Sequence, residues 1–237
     1  MYSKSLFFFP APKVNFVFSL LKTPHIAQNL EKIYKHPFNQ QLFDGTLKAD
    51  AFGNFLHDDY IYLHHYALVL KNISTRAMNV NSRLSQQLDY LHTDIIAGEQ
   101  RMQEQYKKYF THTDTSQAGL AISSYIDHLQ KKSQDTEELP VSLCSILPCF
   151  WVYYQLGSKK LAPNQLIKNP YKDWIQTYSS PTFVEATLTL TDVIDSLALE
   201  SSQSTQMKMK AAFAQSVEYE LQFFDESHEQ ILHPCKL

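Results

Sequence analysis

Leu147-Pro148-Cys149-Phe150-Trp151-Val152-Tyr153-Tyr154 is the stretch from which the fold of this chain is read. On a helical period, Leu143, Ile146, Cys149/Phe150, Tyr153 and Leu156 share one face, the pattern of a helix buried in a core. Pro148 lies inside that pattern. Proline has no N–H and crowds the carbonyl four residues back, so a kink is expected where Cys149 begins its turn. A kink frees backbone polar groups and can lift a thiol out of close packing. Cys149 therefore has two readings: a small buried hydrophobe, as free cysteines commonly are, or a thiol made reactive by its surroundings.

A chain of 237 residues suits one domain with a sizeable core, or two small ones. It has only 5 glycines, and its turn clusters are few and widely spaced. That favours long helices and argues against a sandwich, a barrel or a nucleotide-binding α/β sheet. The 14 tyrosines and 15 phenylalanines are many, and tyrosine-rich helices either fill a core or line a pocket with ring faces and hydroxyls. A net charge of -3 without a basic run leaves no electrostatic footprint for nucleic acid or for an anionic membrane. The 3 cysteines form no C-x-x-C pair, and Cys144 and Cys149 point in different directions on a helix. Neither a disulfide framework nor a zinc site is suggested, and a reducing cytoplasm fits.

At the N-terminus, the apolar runs Leu6–Pro10 and Phe16–Leu21 follow a lysine, as in a signal peptide. Pro10, Pro12 and Lys13 split them, and no small-residue cleavage site follows cleanly. Residues 1–22 are set apart as a leader and 23–237 as a single helical domain; no further segment is expected to approach membrane-spanning length.

Helices are expected over about Ile26–Tyr34, Lys48–Ala77, Ser82–Phe110, Ala118–Lys132, through Cys149, from Pro181 to about Leu199, and from about Met207 to Ile231. Ser180-Pro181 reads as an N-cap with proline at the first helical position. Leu161–Lys172 reads as looser chain, and Ser201–Thr205 as a break. Two helices carry an oddity. In the first long one, Phe52, Leu56, Asp59, Leu63, Tyr66 and Leu70 form a core stripe with an aspartate in its middle, and Tyr62 lies on the same side. In the last, Phe213, Val217, Glu220 and Phe224 do the same with a glutamate. A buried carboxylate is costly unless paired or hydrogen-bonded. Either acid alone could be a satisfied structural group; two acids, a cysteine beside a proline and several tyrosines on interior faces point to a site.

These residues resemble the TenA family (thiaminase II, or aminopyrimidine aminohydrolase), in its cysteine-containing branch. The resemblance is carried by His36-Pro37-Phe38 with Leu42-x-Asp44-Gly45-Thr46-Leu47, and by Phe55-Leu56-x-x-Asp59-Tyr60-x-Tyr62-Leu63. It continues in Leu147-Pro148-Cys149-x-Trp151-x-Tyr153 with Gly157, Trp174-Ile175-x-x-Tyr178-Ser179-Ser180, and Tyr219-Glu220-x-x-Phe223. Order and spacing agree from roughly Ile26 to His228. The resemblance implies an all-α, haem-oxygenase-like helical bundle, commonly assembled as a homo-tetramer. It makes Cys149 the nucleophile, Glu220 the acid/base and Asp59 the group that binds the aminopyrimidine ring, with Tyr62, Tyr125, Tyr153 and Tyr178 lining the pocket. It calls for no cofactor and no metal. Phe224 stands where relatives usually carry Trp, which keeps an aromatic wall. Asp58 stands where Gln is common, and beside Asp59 it is expected to alter local electrostatics and substrate preference.

The residue types suit that chemistry. Displacing an amine from a pyrimidine's exocyclic methylene is hard directly; adding a thiolate to the ring first lets ring electrons expel it. The steps need a soft nucleophile, a proton carrier, and an acid to meet charge arriving on ring nitrogens. A carboxylate beside a thiol raises the thiol's pKa, so Glu220 would serve as general base and not as an electrostatic activator. Two other functions compete. A non-haem iron oxygenase on the same fold would want repeated Glu-x-x-His, and this chain has only Asp89-x-x-His92 and Asp225-x-x-His228. His57 and His64 sit two turns apart on a helix while His65 points elsewhere, and they read as solvated or capping groups. A non-catalytic pyrimidine-binding or regulatory protein would need neither Cys149 nor Glu220.

Overall fold

The computed structural model describes residues 15–106, 118–159 and 161–229, and among these it contains eleven helices and no strand. They are α1 (Phe16–Leu21), α2 (Pro24–Tyr34), α3 (Pro37–Asp44), α4 (Ala49–Ala77), α5 (Ser82–Tyr106) and α6 (Leu120–Lys132). After them come α7 (Leu139–Gly157), α8 (Pro163–Lys168), α9 (Lys172–Thr177), α10 (Pro181–Glu200) and α11 (Gln203–Glu229). Prolines stand in the first turn of α2, α3, α7, α8 and α10, where a missing N–H costs no helical hydrogen bond. Ser180 caps α10 by accepting from Phe183 N–H at 3.3 Å, as its sequence suggests.

The last helix opens at Gln203 and not near Met207. Ser202 Oγ accepts from Thr205 N–H at 3.1 Å, so the serine run is a cap and not an extended break. Chain expected to be loose between Leu161 and Lys172 contains α8, and it is pinned to the end of α3. Asn169 Nδ2 donates to Leu42 O at 2.9 Å and Phe43 O at 3.0 Å, and Tyr171 Oη donates to Leu47 O at 2.6 Å. The expected stretch of α5 beyond Tyr106 and residues 1–14 lie outside the described residues.

The bundle is built around α7. None of its 19 residues is exposed, although the sequence pattern marked only one buried face. Its mean hydropathy of 1.3 also reaches the length and apolarity of a membrane span, contrary to expectation. In this fold α11 and α10 pack along it most extensively, with α6, α4, α2 and α9 closing the remainder. A helix apolar on every side is a central core helix here.

α7 runs unbroken through Pro148. Carbonyls next to the proline are engaged from outside the helix: Ser216 Oγ donates to Ser145 O and Tyr66 Oη to Ile146 O, both at 2.8 Å. The start of α7 is fixed by Arg76, whose guanidinium donates to Ser133 O, Ser142 Oγ and Glu137 O.

Part of the stretch set apart as a leader belongs to the core. In α1, Phe16, Val17 and Leu20 are buried against α10, and Val17 N–H donates to Asp195 Oδ1 at 2.8 Å.

Candidate active site

A cavity of about 150 Å³ opens between α4, α5, α7 and the segment from α9 to α10. Apolar cavities of about that volume accommodate a single benzene-sized ring. Its wall includes Asp59 from α4, Cys149 and Tyr153 from α7, and Tyr178 just after α9. Four of the seven residues singled out from sequence therefore border one space. Cys149 keeps part of its surface on the cavity while protein surrounds the rest of it.

Glu220, Tyr62 and Tyr125 do not border the cavity. They form a buried layer beside Cys149. The rings of Tyr62 and Tyr125 lie 5.0 Å apart, those of Tyr62 and Tyr66 5.3 Å, and those of Tyr125 and Tyr219 5.5 Å. Glu220 is 2% exposed, and its Oε1 has no partner in hydrogen-bond geometry; neither have the hydroxyls of Tyr62 and Tyr125. Unpaired polar atoms in such a place cost free energy, which a polar ligand or a shift of protonation relieves.

Protonation shifts accordingly. Burial pushes the Glu220 carboxyl up to about 8; the nearby Tyr125 hydroxyl, though outside hydrogen-bond geometry, pulls it down, and the charge of Asp59 raises it. Burial raises the Cys149 thiol well above its ordinary value, and Glu220 is the next largest cause. Hydroxyls of Tyr62 and Tyr66 act in the opposite direction on the thiol. Burial thus favours the protonated form of both the thiol and the carboxyl.

Tyr178 is placed by a close approach. A Cβ on Gly157, at the end of α7, would lie 2.4 Å from Tyr178 O and 2.5 Å from its carbonyl carbon. Only glycine lets the chain pass there. The Tyr178 ring then packs on Tyr153 at 4.7 Å and on Trp174 at 4.7 Å. Phe224 is buried behind this layer, 6.2 Å from Tyr153 and 6.0 Å from Phe55, and it does not reach the cavity.

Asp58 departs from expectation. It points away from the cavity, and its Oδ1 accepts from Gly119 N–H at 3.2 Å. Adjacent residues on a helix face different ways, so Asp58 meets α6 while Asp59 faces the site. The contribution of α5 was missed from sequence. Leu91, Asp94, Ile95, Gly98 and Arg101 line the cavity, with Asp94 and Arg101 at its exposed rim, 4.0 Å apart. Nothing in the spacing of α5 distinguishes a rim from an ordinary solvated face. Tyr66, Phe150 and Phe183 also line it; their spacing signals only burial.

The acid–histidine pairs considered for iron are engaged elsewhere. Asp225 Oδ1 is 3.1 Å from His36 Nε2, and Asp89 pairs with Lys71 at 3.0 Å. His36 Nδ1 accepts from Phe38 N–H, so its proton sits on Nε2 toward Asp225. His65 meets Gln130, and His64 is exposed. Among the described residues, no group of three His, Cys, Asp or Glu side chains is arranged to hold a metal ion.

The profile of the TENA/THI-4/PQQC family matches residues 24–230. The aminopyrimidine aminohydrolase of Bacillus subtilis is 30% identical over 209 residues, which is 84% of this chain and 84% of that protein. The thiamine biosynthesis multifunctional protein ThiED of Corynebacterium glutamicum is 24% identical over 190 residues; the match takes in 80% of this chain but only 24% of that much longer protein. Among solved structures, the TenA homologue protein from P. horikoshii OT3 superposes with a TM-score of 0.74 at 24% identity, covering 90% of this chain and 97% of its own. At that identity the likeness is one of fold: a single-domain, all-α bundle.

Proposed function

We propose, from the premise that this chain belongs to the TENA/THI-4/PQQC family, that it is an aminopyrimidine aminohydrolase of the cysteine-containing branch. Its substrate in this reading is 4-amino-5-aminomethyl-2-methylpyrimidine, with thiamin as a second one, and its product is the hydroxymethylpyrimidine for thiamin salvage. A homo-tetramer in the cytoplasm goes with it. The observation that supports the reading most is that Asp59 and Cys149, from two different helices, share one ring-sized cavity walled by tyrosines, with Glu220 of a third helix buried beside Cys149.

Each group has a task. Asp59 and the rings of Tyr153 and Tyr178 hold the flat pyrimidine. Glu220, largely protonated near neutrality, first gives its proton to a ring nitrogen. The carboxylate so formed takes the thiol proton, and the thiolate of Cys149 adds to a ring carbon, breaking aromaticity. Glu220 then protonates the departing amine as ring electrons break its bond to the methylene carbon. Water adds to that carbon and returns its proton to Glu220. The C–S bond breaks, the thiol regains the proton from the ring nitrogen, and the site is restored. One carboxyl serves alternately as acid and base, which a raised pKa close to the working pH favours.

The test is mass spectrometry of products after incubation with the aminopyrimidine in ¹⁸O water, with and without chelator. The expected product is the labelled alcohol, formed at the same rate after chelation. Cys149→Ser is expected to abolish turnover while the ring still binds, because the thiol serves only the addition step. Full activity in Cys149→Ser would remove the covalent mechanism. A chelator-induced loss restored by iron alone would move the protein to the oxygenase class.

A further inference from the structure

The start of α6 is held from two sides by other helices. Asp58 on α4 accepts from Gly119 N–H at 3.2 Å. Glu226 on α11 accepts from Leu120 N–H at 3.0 Å through one oxygen and from Ala121 N–H at 2.8 Å through the other. A helix start leaves its first N–H groups without partners, and here no local side chain caps them. Two carboxylates from distant parts of the chain do so instead. Gly119 stands where they meet: a Cβ there would lie 2.8 Å from Asp58 Oδ2 and 2.8 Å from Glu226 Cδ.

The carboxylates come together against their own repulsion. Burial raises Asp58, the Gly119 N–H and the neighbouring His57 lower it, and the charge of Glu226 raises it again. The positive end of the α6 dipole lies between them and offsets that repulsion. Without α6 in place, α4 and α11 would present two like charges to each other.

The three helices so joined carry Asp59, Glu220 and Tyr125. Asp58 adjoins Asp59 on α4, and Tyr125 lies within about two turns of the clasp on α6. We propose that Asp58 and Glu226 are positioning residues, which set α6 against α4 and α11 and thereby hold Tyr125 beside Glu220 for its proton transfers. The catalytic half of this inference rests on the function proposed above; the structural half stands without it.

Tyr125 is the neighbour that counters the effect of burial on Glu220. Asp59, Tyr62 and Tyr66 on α4, Cys149 and Tyr153 on α7, Tyr34 on α2 and Tyr178 after α9 also lie near Glu220 and stay constant in the variants below. Loosening the clasp should therefore act on Glu220 in the same sense as removing the Tyr125 hydroxyl. Loss of stability alone would not move that titration.

The experiment follows the Glu220 carboxyl by ¹³C NMR of labelled glutamate side chains, its signal assigned by its loss in Glu220→Gln. Tyr125→Phe is expected to raise the midpoint from about 8, and Glu226→Ala to raise it by a comparable amount, about half a pH unit or more. The double variant should go no further than the larger single one, because both changes remove the same contact. Asp58→Asn keeps an acceptor for Gly119 and should leave the midpoint in place. With the aminopyrimidine as substrate, Glu226→Ala should lower kcat about tenfold and leave KM within about twofold. Should Glu226→Ala not fold, Glu226→Leu, which removes both acceptors and keeps side-chain bulk, is judged by the same criterion. A folded Glu226 variant with the wild-type midpoint, or a shift fully additive with that of Tyr125→Phe, overturns the inference. Absence of turnover in the wild type would overturn the proposed function, and the titration would still decide the clasp.

Discussion

Glu220 sits in a core stripe of α11, 2% exposed, and its acidity reflects that place. Its pKa rises from 4.5 to about 8, chiefly through burial. Below pH 4.5 the carboxyl is protonated in folded and unfolded chains alike, and its contribution to stability is complete. As the pH rises toward 8, the unfolded chain releases this proton while the folded one retains it, so unfolding gains. Stability from this group is therefore lost upward through that window. Melting followed by circular dichroism should show a wild-type midpoint falling between pH 5 and 8 more steeply than that of Glu220→Gln, by roughly 5 °C over the window. Parallel slopes for the two proteins would mean that Glu220 is not held neutral by burial.

α7 illustrates how one helix serves both stability and site. Two of its carbonyls, Ser145 O and Ile146 O, take hydrogen bonds from Ser216 and Tyr66 on other helices, and its far end depends on Gly157. Gly157→Ala would place a methyl 2.4 Å from Tyr178 O, within a backbone-to-backbone approach that cannot yield by a side-chain rotation. The strain should cost about 1–3 kcal/mol. The relief is a displacement of the Tyr178 segment, which also bears half of the Tyr153–Tyr178 ring pair. Denaturant unfolding and calorimetric binding of the aminopyrimidine check both consequences: lower stability, and affinity weakened several-fold. Unchanged values for both would show that Tyr178 is not positioned by this contact.

The bundle extends past the segment that the family profile matches. α1 lies before the matched residues 24–230, yet three of its six residues are buried against the bundle. Deleting residues 1–22 uncovers the facing part of α10 and leaves Asp195 without the Val17 N–H. Burial of Phe16, Val17 and Leu20, discounted for the order of a short helix, predicts a loss on the order of 3 kcal/mol. Chemical denaturation of the truncated chain provides the comparison. Equal stability of the two chains would make α1 an appendage of the fold.

What the sequence by itself determined was the set of helices and their inward-facing polar groups. Low glycine content, the helical spacing of apolar residues and the Ser180-Pro181 cap are local properties, so they could be read before any packing was known. Asp59 and Glu220 were legible for the same reason: a charge inside an apolar stripe is conspicuous on its own helix. Only the tertiary structure decided which groups meet. Asp58 and Asp59 are neighbours in the chain, and a single helical step sends one to cap α6 and the other into the cavity. The part played by α5, the dependence of Tyr178 on Gly157, and the placing of Glu220 behind Cys149 all rest on contacts between distant segments. A periodicity records which side of a helix is dry, and carries no record of what lies against it.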